Sequence, residues 1–215
     1  MKLYTKDMSP FSSRVRICVY AKGLDVELDS DLPGGSMHSM EFARINPMEK
    51  IPVLAIDDWH YLPESQVIVE YLEDVHPEPS LLPPSAEDRA RARLIARLVD
   101  LYLYPPVPQI FGAMHSEGQE ERIKTLAADV SKGLDLLEHY LGGGEYCVGD
   151  QLSIADAALA PPLLFISGPI GNMLNGDPFQ GRPKLQAVWK ALQEDAHIAR
   201  VLGEMKMAMA KFSRD

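Results

Sequence analysis

Ser9-Pro10-Phe11-Ser12-Ser13-Arg14-Val15-Arg16 follows directly on the short apolar stretch Leu3-Tyr4-Thr5, which sets a hydroxyl where a strand hands over to a helix. Ser9 suits the N-cap and Pro10 the first helical position, so unpaired backbone N–H groups and the positive end of the helix dipole converge near the Ser9 hydroxyl. Such a place holds an anion, and a thiolate is one anion that fits. Ser9-x-x-Ser12 has the spacing of a redox Cys-x-x-Cys with both sulfurs replaced by oxygen, which excludes disulfide exchange from these two positions. A thiolate working here must therefore arrive with a ligand.

Two later segments supply the other contacts a small thiol peptide needs. In Lys50-Ile51-Pro52-Val53 a proline opening a strand leaves the Ile51 amide and carbonyl facing outward, free to pair with a peptide backbone. The Ile51-Pro52 bond can be cis, and the sequence alone leaves its isomer open. Glu64-Ser65 starts a further helical pattern, where a hydroxyl and free N–H groups suit a carboxylate and Glu64 can receive an ammonium. An α-amino acid end satisfies both. Ser9, Ile51-Pro52 and Glu64-Ser65 together describe a slot for a short peptide with a thiol in its middle.

The elements that must carry these residues alternate in the first third of the chain. Strands are expected near Lys2–Thr5, Val26–Asp29, Val53–Ile56 and Trp59–Leu62, with helices over Pro10–Lys22 and Ser65–Val75 and a short helix after the Gly34-Gly35 loop. This order implies a small α/β layer with helices packed on a mixed sheet. The proline-rich run His76-Pro77-Glu78-Pro79-Ser80-Leu81-Leu82-Pro83-Pro84 breaks every periodicity and reads as a linker. Beyond it strand signals nearly vanish. Ser85-x-x-Asp88 opens a helix with apolar residues from Leu94 to Tyr102 at helical spacing, and Ile123 to Leu141 repeat the pattern on a second helix ended by Gly142-Gly143-Gly144. Pro105, Pro106 and Pro108 require the first of these to kink or break just after Tyr104. The expected domains are 1–76, a linker 77–85 and an all-helical 86–215.

Bulk properties exclude several functions. The 215 residues, 46% of them hydrophobic, are ample for a core, and no apolar run approaches the length of a membrane span. The N-terminus lacks a signal-peptide stretch, which favours a cytoplasmic protein. A formal charge of −10 disfavours nucleic acid and anionic membrane as partners. Cys18 and Cys147 are too few for a disulfide scaffold, and the six histidines show no metal-ligand spacing, so no metal is expected.

Over essentially its whole length the chain resembles a cytosolic glutathione S-transferase of the serine type. Ser9-Pro10-Phe11-x-x-Arg14-Val15-Arg16-Ile17, with Ala21-Lys22-Gly23-Leu24 following, is similar to the first helix of the tau and zeta classes; the class is left open among tau-, zeta- and omega-like members. Asn46-Pro47-x-x-Lys50-Ile51-Pro52-Val53-Leu54 and Pro63-Glu64-Ser65-x-x-Ile68-x-x-Tyr71-Leu72 match the family's glutathione site. Tyr146-Cys147-Val148-Gly149-Asp150-Gln151-Leu152-Ser153-Ile154-Ala155-Asp156 looks like its folding motif, in which Ser153 and Asp156 form a capping box worth about 1 kcal/mol or more when buried.

The resemblance implies a thioredoxin-like α/β domain followed by an all-α domain, a cytoplasmic homodimer, and an enzyme of detoxification that attacks a hydrophobic electrophile with glutathione thiolate. It implies that Ser9 donates a hydrogen bond to the glutathione sulfur, that Ile51 and Pro52 receive the cysteinyl unit, that Glu64 and Ser65 hold the γ-glutamyl end, and that Lys50 and His38 lie near the glycine carboxylate. Lowering a thiol pKa near 8.5 by about two units requires roughly 2.7 kcal/mol, within reach of one hydroxyl and a helix terminus. No general base is required. Met8, Phe11, Tyr104, Phe111, Met114 and His115 are the candidates for the electrophile pocket, although such a set at helical spacing also suits a core.

Rival hydroxyls are Ser12, within a turn of Ser9, and Tyr4 on the first strand. Rival functions are a glutathione-dependent isomerase of the maleylacetoacetate or maleylpyruvate type, an aryl-ether-cleaving or dehalogenating enzyme, and a non-catalytic carrier of apolar ligands. The Ser-Ser-Cys stretch typical of zeta members is absent beside Arg14, and the intact Ser9, Ile51-Pro52 and Glu64-Ser65 set argues against the carrier.

Overall fold

The computed structural model describes residues 1–174 and 176–212, which fall into two compact units: Met1–Leu81 joined by the C-terminal segment from Ala196, and Leu82–Asp195. In the first unit, β1 (Lys2–Tyr4) runs into α1 (Pro10–Ala21), then β2 (Glu27–Asp29), a 3-10 turn (Pro33–Gly35), α2 (Met40–Ile45), β3 (Val53–Ala55), β4 (Tyr61–Pro63) and α3 (Ser65–Val75). The second unit contains α4 (Ala86–Leu98), a π turn (Val99–Leu103), α5 (Pro106–Met114), α6 (Glu120–Tyr140), α7 (Ile154–Ser167), a 3-10 turn (Gly171–Met173) and α8 (Pro183–Glu194). The chain returns to the first unit as α9 (Ala196–Phe212).

The sheet has the order β2-β1-β3-β4. β1 pairs parallel with β2 and antiparallel with β3, placing Leu3 between Leu28 and Leu54, and β3 pairs antiparallel with β4. Leu3, Val53, Leu54, Ile68, Val69 and Leu72 are fully buried and seat α3 against this mixed sheet. Phe42 of α2 packs with Leu32 and Val53, and the half-buried Ile51, Tyr4 and Tyr61 close over that small cluster. Ile51 thus gains a fixed seat before β3 begins.

Three serine caps expected from the sequence are present. Ser9 Oγ accepts from Ser12 N at 3.2 Å, Ser85 Oγ accepts from Asp88 N at 3.0 Å, and Ser153 forms a full capping box with Asp156. Asp156 is wholly buried and accepts from Cys147 N, Ser153 N and Ser153 Oγ at 2.7, 2.9 and 2.7 Å, so one carboxylate ties the glycine-rich turn to the start of α7. The expected break after Tyr104 takes a specific form: α4 widens into a π turn, and α5 restarts with Pro106 in its first turn. Against that turn α6 comes very close. A Cβ on Gly133 would lie 2.7 Å from the Tyr102 carbonyl oxygen, so only glycine permits the approach.

The boundary of the helical part differs from the sequence expectation of 86–215. α9 belongs with the first unit because α1 offers it a buried polar partner and a packing face: Arg16 of α1 donates to Glu204 at 2.8 Å and Tyr20 donates to the same carboxylate at 3.1 Å. A pairing over such a sequence distance has no local signal. The linker region is pinned in a similar manner. Lys22, completely buried at its side chain, forms an ion pair with Glu73 at 2.7 Å and donates to the carbonyls of His76 and Pro79 at 2.7 and 2.8 Å. Glu73 in turn accepts from Leu81 N at 2.9 Å.

Among the described residues no helix is long and apolar enough to cross a membrane, and no group of three or more His, Cys, Asp or Glu side chains is gathered as for a metal ion.

Replacing one member of a buried ion pair leaves the other charge uncompensated. Lys22→Met is expected to lower the stability of the chain by about 3–5 kcal/mol, read as a shift in urea unfolding; a loss below about 1 kcal/mol, typical of a surface pair, contradicts the role given to this lysine.

Candidate functional site

A cleft of about 110 Å³ opens on the first unit, lined by Phe11 from α1, by Asn46, Lys50, Ile51 and Pro52 from the segment before β3, and by Glu64 and Ser65 at the start of α3. Three stretches far apart in sequence thus meet, and six of the expected site residues, Phe11, Lys50, Ile51, Pro52, Glu64 and Ser65, are among them. Each wall has its own local cause.

The middle wall is shaped by Asn46. Its buried side chain accepts from Met48 N at 3.1 Å and donates from Nδ2 to the Lys50 carbonyl at 2.7 Å, bracing the turn from inside. Glu49 takes a positive φ of 54° to complete it. The turn delivers Ile51 outside the ladder, since β3 starts only at Val53, and the Ile51–Pro52 peptide is cis. Asn46 was legible only as part of a motif; its bracing role follows the tendency of Asn to bond backbone two residues on.

At the α3 wall Glu64 is the N-cap residue with φ 70° and ψ 106°, a region that non-glycine residues rarely occupy, and its side chain makes no capping bond. The exposed carboxylate is therefore presented outward, and the first N–H groups of α3 have no side-chain cap. Ser65 beside it is buried. The buried guanidinium of Arg14 donates from Nη1 to Ser65 Oγ at 3.3 Å and to Gln66 Oε1 at 3.4 Å. By accepting from Arg14, Ser65 keeps its own O–H proton for a ligand, and a positive charge stands behind a place already suited to a carboxylate. Arg14 is a functional candidate that the motif contains but that sequence reasoning assigned no role; no local pattern reports a partner on α3.

Ser9 is half-buried at the mouth of α1, two residues before the cleft-lining Phe11, and is not itself among the lining residues. Its φ and ψ of −77° and 118° are those of an N-cap, its N–H donates to the Lys6 carbonyl at 3.0 Å, and its carbonyl accepts the first helical bond from Ser13 N at 2.9 Å. With one lone pair of Oγ used by the Ser12 N–H, the hydroxyl proton is left to donate. That is the polarity required to stabilise an incoming thiolate.

The rival hydroxyls stand elsewhere. Ser12 has no exposed surface and its Oγ is buried, while Tyr4 packs edge-on against Phe42 with ring centroids 6.3 Å apart, burial raising its phenol pKa. The chain's own thiols are silent: burial pushes Cys18 up to about 12 and Cys147 well above the ordinary thiol range. Of the two residues expected near a glycine carboxylate, Lys50 lines the cleft, whereas His38 does not and is exposed with Nδ1 2.9 Å from Glu49 Oε2.

Of the expected electrophile-pocket set, Met8 and Phe11 belong to the first unit and both are half-buried. Tyr104, Phe111, Met114 and His115 belong to the second. There Phe111 meets Phe165 edge-on at 5.7 Å, the His115 ring lies 2.7 Å from the Phe111 carbonyl, Met114 is exposed, and burial raises the Tyr104 phenol to about 12, keeping it neutral.

Comparison with known proteins places the chain by family and fold. Family models described as glutathione S-transferase, N-terminal domain, and glutathione S-transferase, C-terminal domain, match residues 3–80 and 97–195. Maleylacetoacetate isomerase of Rattus norvegicus is 37% identical over 164 residues, 74% of either chain. Maleylacetoacetate isomerase of Pseudomonas aeruginosa is 35% identical over 171 residues, 76% of this chain and 80% of that one. Among solved structures, a maleylacetoacetate isomerase of Methylobacterium extorquens AM1 with malonate and GSH bound superposes with a TM-score of 0.77 at 27% identity, covering 95% of this chain and 97% of that one.

The conformation of Glu64 carries a cost that glycine would not bear. Glu64→Gly is expected to raise the urea midpoint, a net gain of about 1 kcal/mol after the extra entropy of glycine in the unfolded chain; unchanged or lower stability contradicts the strain assigned to this residue.

Proposed function

Because the chain belongs to the glutathione S-transferase family, we propose that the cleft on its first unit binds glutathione and that Ser9 activates the bound thiol. The carrying observation is the convergence of Ile51-Pro52 and Glu64-Ser65 on one cleft beside a helix whose N-capping hydroxyl keeps a free proton. The Ile51 main chain and the Pro52 turn pair with the cysteinyl unit. Glu64 receives the γ-glutamyl ammonium, and Ser65, backed by Arg14, receives its carboxylate. Lys50 takes the glycine carboxylate, and His38 has the weaker claim because it pairs with Glu49 outside the cleft lining.

Ser9 Oγ–H donates to the sulfur and the N-terminus of α1 adds its dipole, so the thiol loses its proton to solvent near neutral pH. Proximity supplies the rest, and no general base is needed. In conjugation the sulfur lone pair forms a bond to an electrophilic carbon and the leaving group departs with the electrons of the broken bond. The electrophile is hydrophobic, and Met8 and Phe11 on the first unit are proposed to contact it. The same proposal takes the enzyme as a cytoplasmic homodimer acting in detoxification, with glutathione as co-substrate and no metal.

A second reading is favoured by the relatives named maleylacetoacetate isomerase. There the thiolate adds to the cis double bond, the electron pair moves to the conjugated carbonyl oxygen, the new single bond rotates, and collapse of the enolate expels the thiolate with a trans double bond. Both readings share the first step. They differ in whether glutathione is consumed.

Wild type, Ser9→Ala and Ser12→Ala are to be compared with an activated aryl halide and with maleylacetoacetate, following glutathione and product. Ser9→Ala is expected to raise the pKa of bound thiol by about two units and cut turnover about a hundredfold, with Ser12→Ala changing it far less. Equal losses, or a loss only at Ser12, overturn the assignment; turnover of the maleyl compound without net loss of glutathione selects isomerisation.

A further inference from the structure

The guanidinium of Arg16 is almost completely buried, its side chain only 1% exposed, and all four of its terminal N–H donors are used. Nη1 donates to Asp7 Oδ1 at 2.6 Å and to Glu204 Oε2 at 2.8 Å. Nη2 donates to the Asp7 carbonyl at 3.0 Å and to Ser13 Oγ at 2.9 Å. Asp7 and Ser13 bracket Ser9: one stands in the turn closed by the Ser9 N–H on Lys6, the other donates the first helical bond to the Ser9 carbonyl. One planar cation therefore fixes both sides of the residue that presents the hydroxyl.

Arg16 is in turn fixed from α9. Glu204 takes Arg16 on one oxygen, and on the other accepts from Tyr20 OH at 3.1 Å and Arg200 Nε at 3.3 Å, while the Arg200 guanidinium lies 3.7 Å from the centre of the Tyr20 ring. Few free rotations remain in that chain of contacts. A planar fork with every terminal donor committed transmits position, since moving Glu204 leaves a buried charge half-paired.

We propose that Glu204 of the C-terminal helix, acting through Arg16 on Asp7 and Ser13, is a positioning residue that holds the Ser9 hydroxyl at the bound thiol. This rests on the assignment of Ser9 given above. None of these residues lines the cleft, so the link acts on the reactivity of the thiol and not on the affinity for its carrier.

The test is Glu204→Gln, which keeps the shape and an acceptor for Tyr20 but removes the charge opposite Arg16, followed by ultraviolet titration of the bound thiolate, steady-state kinetics and urea unfolding. The thiol pKa is expected to rise by about one unit and kcat to fall about tenfold, with KM for glutathione altered less than about twofold. In a Ser9→Ala background the same substitution is expected to have no further effect on the thiol pKa, a coupling that a merely structural role would not produce. Asp7→Ala, at a largely exposed carboxylate, reads the link from its other end and is expected to shift the pKa in the same direction. An unchanged thiol pKa and kcat in Glu204→Gln and Asp7→Ala, or a shift that persists in full without Ser9, overturns the inference while leaving Ser9 in place. A Ser9→Ala protein with the wild-type thiol pKa overturns the assignment of Ser9 and this inference with it.

Discussion

A hydroxyl has one proton to give and two lone pairs to receive with, and the structure spends one lone pair of Ser9 on the exposed end of a helix. That single bond from the Ser12 N–H orients the Ser9 oxygen, stabilises α1 by roughly 1 kcal/mol, and leaves the proton directed elsewhere. Had the cap been Asp, a carboxylate, the same helix end would have presented only acceptors and repelled a thiolate. Serine is one of the few caps that satisfies the helix and still donates. The chemistry proposed for the site follows from that economy.

Holding such a hydroxyl still requires that α1 not move, and the helix is locked on two sides by two arginines. Residues two apart on a helix point about 200° from each other, so Arg14 reaches α3 at Ser65 and Gln66 while Arg16 reaches Asp7 and Glu204. Burying two cations is expensive unless their donors are met. Arg16 meets its four terminal N–H donors with two carboxylates and two neutral oxygens, while its buried Nε–H has no hydrogen-bond partner; Arg14 lends its charge to the neighbourhood where a ligand carboxylate is proposed to bind. One helix thereby ties Ser9 to the start of α3 at Ser65 and to α9.

What was legible in the sequence was local. Ser-Pro before a helical pattern, Ser85 three residues before Asp88, Ser153 three before Asp156, and the helix from Ser65 to Val75 all carry short-range signatures that survive in the structure. The π turn after Leu98 was legible only as a required break, because three prolines forbid continuation without dictating what replaces it. Distance defeated the rest. The role of Arg14 depends on a residue 51 positions away and that of Arg16 on one 188 positions away, and neither pairing leaves a periodicity to read. For the same reason α9 joins the first unit and not the helical one. His38, placed near the glycine carboxylate by the family resemblance, lies against the exposed carboxylate of Glu49.

The account is tested most directly by a crystal structure of the chain with glutathione bound. It predicts the sulfur within hydrogen-bonding reach of Ser9 Oγ, with the Ser12 N–H still capping that oxygen and the γ-glutamyl carboxylate on Ser65. A sulfur held by Tyr4, by Ser12 or by main chain alone, with Ser9 engaged only in its cap, would contradict it.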